Sequence, residues 1–189
     1  MHPRIGIGAD CSLGARFDKL SERIGNLGRH VTVTFPGPVE GRAVLHPHVG
    51  TMIENGDEVQ RVLEGSSISL CLDTGHLLIG GTDPAELTRQ VPHRIAHTHM
   101  KDVDLGLARQ VQSGRLTYTE AVRNGMYRPL GGGDVDIAAI VGHMRGHGYD
   151  GWYVLEQDTI LTEEPRGEGP VADVHTSAEY LRRAISGTG

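Results

Sequence analysis

The chain has 189 residues, 38% of them apolar and 22% charged, a size and composition that predict one globular domain with a hydrophobic core. Its net charge of −6, without any run rich in Lys or Arg, argues against nucleic-acid binding, and no apolar stretch approaches the roughly 20 residues that span a membrane. Only two cysteines occur, Cys11 and Cys71, so we expect a protein of the reducing cytoplasm rather than a disulfide scaffold.

Six short apolar segments, bounded by turn-forming residues, have the composition of β-strands. In chain order they cover residues 4–9, 30–34, 42–49, 67–72, 94–99 and 151–156. Amphipathic segments between them predict helices over residues 17–27 and 55–63, from Asp83 onward, and over residues 136–147 and 177–185. The Gly- and Pro-rich stretch 162–170 predicts a loop.

The alternation of strands and helices indicates parallel βαβ units, which places the chain in the α/β class. The arrangement that it suggests is a TIM barrel, and we expect residues 1–189 to form a single TIM-barrel-like domain. A closed barrel needs eight strands and typically about 250 residues. The sequence therefore predicts an incomplete barrel.

Polar side chains stand at the C-terminal ends of four of the strands, where parallel α/β folds place their active sites. These side chains are His48, Asp73, His99 and Glu156. Two carboxylates and two imidazoles form a mixed oxygen and nitrogen ligand set that suits Mn²⁺ or Co²⁺, with Zn²⁺, Fe²⁺ and Mg²⁺ as alternatives. The sequence therefore predicts a divalent-metal site.

Each of these residues also has an ordinary structural explanation. A histidine at a strand end is often only a hydrogen-bonded structural residue, and Asp73, before Thr74 and Gly75, can be a turn former or a helix cap. Glu156 is harder to explain in that way, because a carboxylate on a buried strand is costly unless it is paired or bound to a metal. The joint pattern, in order along four strands, favours the metal site.

Four motifs resemble the xylose-isomerase-like superfamily of sugar isomerases and epimerases, and within it the inosose dehydratases. The motifs are HPHVGT (46–51), LDTGH (72–76), HTHMKD (97–102) and GWYVLEQD (151–158), with GGGDVD (131–136) similar to the family's glycine-rich loop. The resemblance covers about residues 42–158 and implies the C-terminal half of the family barrel, with the N-terminal part of the usual barrel missing.

The resemblance implies that Asp73, His99 and Glu156 occupy metal-ligand positions. His48 falls where ketose 3-epimerases have a glutamate that is both ligand and base, and this departure favours the dehydratase-like members. His76 matches a position near the substrate, and Lys101 matches a polar position of the dehydratase-like members.

We therefore expect a metal-dependent lyase or isomerase that acts on a small polyhydroxylated ketone, a sugar or a keto-inositol, through an enolate. The candidate acid and base groups are His76, Lys101 and His97, and the sequence does not rank them. Two other hypotheses stay open. The chain can be a truncated or degenerate barrel that binds metal with little turnover and is completed by homodimerisation. It can also be an apurinic-site endonuclease, although the acidic charge argues against a DNA grip.

Overall fold

The computed structural model describes residues 4–8, 44–161 and 167–187. Five parallel strands form one sheet in the order β1-β7-β4-β3-β2. Their bounds are β1, Arg4–Gly8; β2, Val44–Leu45; β3, Ser69–Asp73; β4, Ile95–Met100; and β7, Trp152–Glu156. A small antiparallel hairpin of β5 (Asp102–Val103) and β6 (Tyr127–Arg128) stands apart from this sheet.

Helices follow or connect the strands. They are α1, Gly56–Gly65; α2, Thr74–Ile79; α3, Pro84–Gln90; α4, Leu105–Gln112; α5, Tyr118–Arg123; α6, Ile137–Gly146; and α7, Pro170–Ser186, with a 3-10 turn at Pro92–Arg94. In the part of the chain that the structure describes, no helix combines the length and the apolar character needed to cross a membrane.

The predicted α/β class, with parallel βαβ units, is confirmed. The strands predicted over residues 4–9, 67–72, 94–99 and 151–156 form with ends that differ by at most two residues. The prediction over 42–49 is wrong at its end, because β2 stops at Leu45 and the chain turns at residues 49–50. Pro47 has no N–H for a ladder, and the His48 N–H donates instead to the Ile53 carbonyl at 2.9 Å. The segments predicted over 17–27 and 30–34 lie outside the described residues.

Side-chain caps explain where the predicted helices begin. Asn55 and Glu58 form a reciprocal capping box on α1, Asp83 caps α3 with Pro84 in its first turn, and Asp136 caps α6. The helix predicted from residue 177 begins earlier, at Pro170, because proline suits the first helical turn. Of the predicted loop 162–170, residues 162–166 lie outside the described residues, residues 167–169 form a turn, and Pro170 already belongs to α7.

The core lies between the sheet and its helices. On β3, Leu70 and Leu72 are completely buried and join a cluster with Ile137 and Ile140 of α6 and Leu181 of α7. Side chains alternate across a strand, so Cys71 and Asp73 point to the opposite face, toward the inside of the barrel. Burying each large aliphatic side chain contributes about 1.5–3 kcal/mol.

The glycine-rich loop that precedes α6 is fastened to the hairpin by one buried carboxylate. Both oxygens of Asp102 accept backbone N–H groups, from Gly131 and Gly133 on Oδ2 and from Val103 and Val135 on Oδ1, at 2.8–3.0 Å. The side chain of Asp102 is 1% exposed. Hydrogen bonds from four amides replace the water that this charge loses on burial.

Candidate functional site

The ends of three neighbouring strands bring Asp73, His99 and Glu156 together. Asp73 on β3 is in register with His99 on β4, and β7 carries Glu156 alongside. One ligand atom from each residue lies within 4.8 Å of the other two. His99 Nδ1 is 3.5 Å from Asp73 Oδ2 and 3.3 Å from Glu156 Oε1. Three of the four predicted metal ligands are therefore neighbours.

The two oxygens of Asp73 have different partners. Oδ1 accepts the His76 backbone N–H at 2.9 Å and caps α2, whereas Oδ2 faces His46 Nε2 at 3.1 Å and Lys101 Nζ at 2.8 Å. Burial alone would raise the pKa of this carboxyl, but the hydrogen bond from His46, the neighbouring His99 ring and the charge of Lys101 hold its pKa well below the usual range. Asp73 is thus at once a helix cap and an ionised member of the cluster.

Lys101 forms ion pairs with three carboxylates. Its ammonium group lies 2.8 Å from Asp73, 2.5 Å from Glu156 and 3.5 Å from Asp158, and its side chain is 3% exposed. Burial disfavours the charge, but the three carboxylates outweigh burial and raise the pKa of Lys101. Its backbone is fixed as well, because its N–H donates to Thr74 Oγ1 and its carbonyl accepts from the same hydroxyl. Lys101 therefore remains a fixed cation.

The two histidines that follow β2 touch edge to face, with ring centres 5.4 Å apart, but they have different further partners. His46 lies against Asp73, and its ring centre is 4.8 Å from that of His99. The predicted ligand His48 does not belong to the group formed by Asp73, His99 and Glu156. Its Nδ1 faces the Val49 carbonyl at 2.8 Å, and its ring lies on that of His76 with centres 3.5 Å apart. Sequence analysis missed His46, although it is the first residue after β2.

His76 is buried in an aromatic environment. Its side chain is 2% exposed, and burial lowers the pKa of His76 to about 3. Tyr118 stacks on the ring at 6.0 Å, Tyr127 meets it edge-on at 6.5 Å, and the two phenol oxygens are 2.8 Å apart. The His76 ring is therefore neutral near pH 7, with one buried nitrogen, Nδ1, that has no hydrogen-bond partner among the described residues.

His97 is placed differently from the other acid–base candidates. It lies on β4 opposite Cys71, one side-chain layer below His99, and it is half-buried. It lines a cavity of about 290 Å³ together with Tyr149 and Asp150. Burial and the neighbouring His99 lower the pKa of His97. The structure thus sets His97 apart from the mouth at which Asp73 and Glu156 meet.

The donor set fits a divalent metal. His99 Nδ1 is a buried nitrogen that makes no hydrogen bond within the described residues, although two carboxylate oxygens lie within 3.5 Å of it. Such a nitrogen is costly unless it is partnered, and a metal ion that shares it with the carboxylates supplies that partner. His46 is the nearest further imidazole to this group.

Comparison with known proteins supports the same architecture. The model of the xylose isomerase-like TIM barrel family matches residues 8–184. The chain belongs to this family. The resemblance inferred from the four motifs is thereby confirmed at the level of the family, and the motifs HPHVGT, LDTGH, HTHMKD and GWYVLEQD all lie inside the matched region.

Two curated relatives and one solved structure are similar to this chain. An inosose dehydratase of Geobacillus thermodenitrificans is 30% identical over 142 residues, 74% of this chain and 46% of that protein. The rhizopine catabolism protein MocC of Rhizobium meliloti is 30% identical over 178 residues, 93% of this chain and 50% of that protein. A xylose isomerase domain protein from Planctomyces limnophilus shares the fold, with a TM-score of 0.51, 19% identity, and coverage of 97% of this chain and 60% of that chain. The chain spans about half the length of the curated relatives it matches.

Proposed function

We propose that this chain carries the metal and substrate site of a lyase or isomerase that acts on a polyhydroxylated ketone, in the manner of an inosose dehydratase. The observation that carries the proposal is the buried, unbonded His99 Nδ1 beside the oxygens of Asp73 and Glu156. These three residues lie at the C-terminal ends of parallel strands, where barrel enzymes have their active sites. The relatives named inosose dehydratase point to sugars or keto-inositols as substrates.

Asp73, His99 and Glu156 would hold the metal, and His46, which lies against Asp73, is the structure's best fourth ligand. This assignment replaces His48 of the sequence prediction by its neighbour two residues earlier. Mn²⁺ or Co²⁺ suits the mixed set best, with Zn²⁺, Fe²⁺ and Mg²⁺ as alternatives. When bound, a divalent ion supplies Lewis acidity that polarises the ketone and acidifies the adjacent C–H.

His76 is the proposed base. Its ring is neutral, and its Nδ1 has no hydrogen-bond partner among the described residues, so this nitrogen would receive the proton from the carbon next to the ketone. Its low pKa makes the ring a weak base, so the step would depend on the acidity that a bound metal gives the C–H. The electrons of that C–H bond then form the substrate enolate. If a neighbouring hydroxyl leaves with the proton from His76, water is lost and a dehydrated ketone results. If the proton returns to another atom, the reaction is an isomerisation.

Lys101 and the tyrosines have supporting parts in this proposal. The Lys101 ammonium holds Asp73 and Glu156 in place and offsets their charge. Tyr118 covers one face of His76, and the Tyr118–Tyr127 pair keeps water from that side of the ring. His97, one layer lower, is the least suited of the three predicted acid–base residues.

The test combines metal content with turnover. Elemental analysis of the purified chain should find about one Mn, Co, Fe or Zn, and His99→Ala should lose it while the circular dichroism spectrum stays unchanged. The exposed His93 provides the matched control, His93→Ala, which should keep the metal. A keto-inositol should then lose water or exchange its α-hydrogen for deuterium. A protein that binds neither Mn²⁺ nor Co²⁺ would contradict the proposal.

The number of strands in the sheet favours a second candidate function. In this candidate a single copy of the chain binds metal but has little turnover. In the described segments the sheet has five strands, with β1 and β2 at its edges, whereas a closed barrel has eight. We propose that residues 1–189 form one domain and that residues 42–158 carry the site. We also propose that the protein works in the cytoplasm. A homodimer can cover the edges of the sheet, which the described residues of one copy leave unpaired. Light scattering gives the mass, and a metal-loaded chain without turnover would favour this candidate.

A further inference from the structure

A second set of metal-binding side chains overlaps the site described above. His46, Cys71 and His99 each offer one ligand atom, and these atoms lie within 4.8 Å of one another. We propose that this set binds a thiophilic divalent ion, Zn²⁺ or Cd²⁺, in place of the ion held by the carboxylates. The two modes exclude each other because both need His99.

The strand register explains why the thiol is within reach. Cys71 precedes Asp73 by two residues on β3, so both side chains point to the same face, with the thiol one layer deeper in the barrel. Leu45 of β2 pairs with Leu70, so His46 follows directly beside Cys71. Residue Cys71 is 2% exposed, whereas the side chains of His46 and His99 are 27% and 20% exposed and leave the mouth open to an entering ion.

The chemistry of this set differs from that of the carboxylates. One thiolate and two imidazoles prefer Zn²⁺ and related soft ions, whereas two carboxylates and an imidazole also suit Mn²⁺ and Mg²⁺. In a tetrahedral zinc site, bond lengths of about 2.3 Å to sulfur and 2.0–2.1 Å to nitrogen place these donor atoms roughly 3.5 Å apart. Donors already within 4.8 Å need to approach by only about 1 Å. The thiol proton leaves to solvent as the metal–sulfur bond forms.

Burial and the charges of Asp73 and Glu156 raise the pKa of the Cys71 thiol, so the entering ion must displace the thiol proton. The carboxylates themselves need no new partner in this second mode. When His99 turns to an ion on the thiol, Asp73 and Glu156 keep the Lys101 ammonium at 2.8 and 2.5 Å. Their charges therefore remain compensated without a metal of their own. A soft ion on this set removes the imidazole from the carboxylate set, so it would act as a competitor of Mn²⁺ or Co²⁺.

Cadmium titration tests the proposal, because a cadmium–thiolate bond absorbs in the ultraviolet. A Cys11→Ser chain leaves Cys71 as the only thiol. This chain should develop a thiolate-to-cadmium band that saturates at one ion per chain, and Mn²⁺ should produce none. Adding Cys71→Ser should remove the band and weaken cadmium binding by more than about 100-fold, above the 10–100-fold cost of losing a group that merely orients a ligand.

The matched variant is Glu156→Gln, which impairs the carboxylate set alone. It should weaken Mn²⁺ binding and leave the cadmium band intact, so failure of the proposed carboxylate site and failure of the thiol site are distinguishable. His46→Gln provides a second test if Cys71→Ser does not fold, because losing one imidazole ligand should shift the titration of the band to higher cadmium concentrations. Absence of the band in Cys11→Ser, its survival in Cys71→Ser, or its loss in Glu156→Gln would overturn the proposal.

Discussion

The ammonium group of Lys101 lies 2.8 Å from Oδ2 of Asp73, and the side chains of the two residues are 3% and 0% exposed. A pair this deep gains attraction from the low local dielectric but loses the hydration of both ions. Such pairs add little net stability, yet removing one partner leaves the other charge buried without compensation. Lys101 is therefore best understood as the internal counter-ion of the carboxylates of Asp73 and Glu156.

Lys101→Met should destabilise the metal-free protein by about 3–5 kcal/mol, because Asp73 and Glu156 are left facing each other without a cation. Urea unfolding in the presence of a chelator measures this loss, and added Mn²⁺ should restore part of it. Arg89→Met is the control, since Arg89 pairs with Glu86 on the surface and such pairs contribute little. Equal unfolding midpoints for Lys101→Met and wild type would contradict the counter-ion assignment.

The choice between His46 and His48 can be decided with two variants. His46→Ala should weaken Mn²⁺ or Co²⁺ binding by at least about 10–100-fold, because His46 lies against Asp73 and His99. His48→Ala should change the affinity much less, because its ring lies on His76 instead. Isothermal titration of both variants gives the comparison. The reverse ranking would restore His48 as the ligand.

His76 should make stability depend on pH below neutrality. Its pKa is about 3 in the folded chain and 6.5 in an unfolded one, so between these values only the unfolded state binds the proton. The contribution of neutral His76 to stability should therefore be fully present above about pH 6.5. As the pH is lowered toward 3, the free energy of unfolding should fall by up to about 1.4 kcal/mol per pH unit.

Urea unfolding at several pH values between about 4.5 and 6.5 isolates this effect from the carboxyl groups. His76→Asn should flatten the slope by up to one proton. His93→Asn, at an exposed position, should leave the slope close to that of wild type. Identical slopes for wild type and His76→Asn would show that His76 is not held neutral by burial.

Gly133→Ala should destabilise the fold by about 1–3 kcal/mol, because a methyl group there would collide with the Asp102 carboxylate and the Val103 amide. Gly142→Ala is the matched control. Nothing lies within 4 Å of a methyl group at Gly142 in α6, and alanine should stabilise that helix by about 0.5–1 kcal/mol. Thermal unfolding of both variants measures the difference, and a neutral Gly133→Ala would mean that the carboxylate can move.

Much of the site could be predicted because strand ends are visible in the sequence. Asp73 and Glu156 end apolar runs on β3 and β7, His99 is next to the last residue of β4, and parallel strands bring such ends to one edge. The choice between His46 and His48 could not be made in this way. Alternation applies only while the chain is extended, and β2 ends at Leu45.

Other features depended on contacts between distant elements. The three-way pairing of Lys101 requires the relative positions of β3, β4 and β7, which no local pattern contains. The hairpin that carries Tyr127 has strands of two residues, and α5 has six, so neither shows a usable periodicity. The aromatic surrounding of His76 was missed for that reason.

The hydrogen bonds of Asp102 limit how the glycine-rich loop can be re-engineered. One side chain holds four amides that belong to the hairpin and to the glycine-rich loop. A loop transplanted from a relative at this place must offer the same amide pattern, or it leaves an uncompensated charge in the interior. Loop and aspartate thus form one exchangeable unit, and chimeras should take both from the same parent.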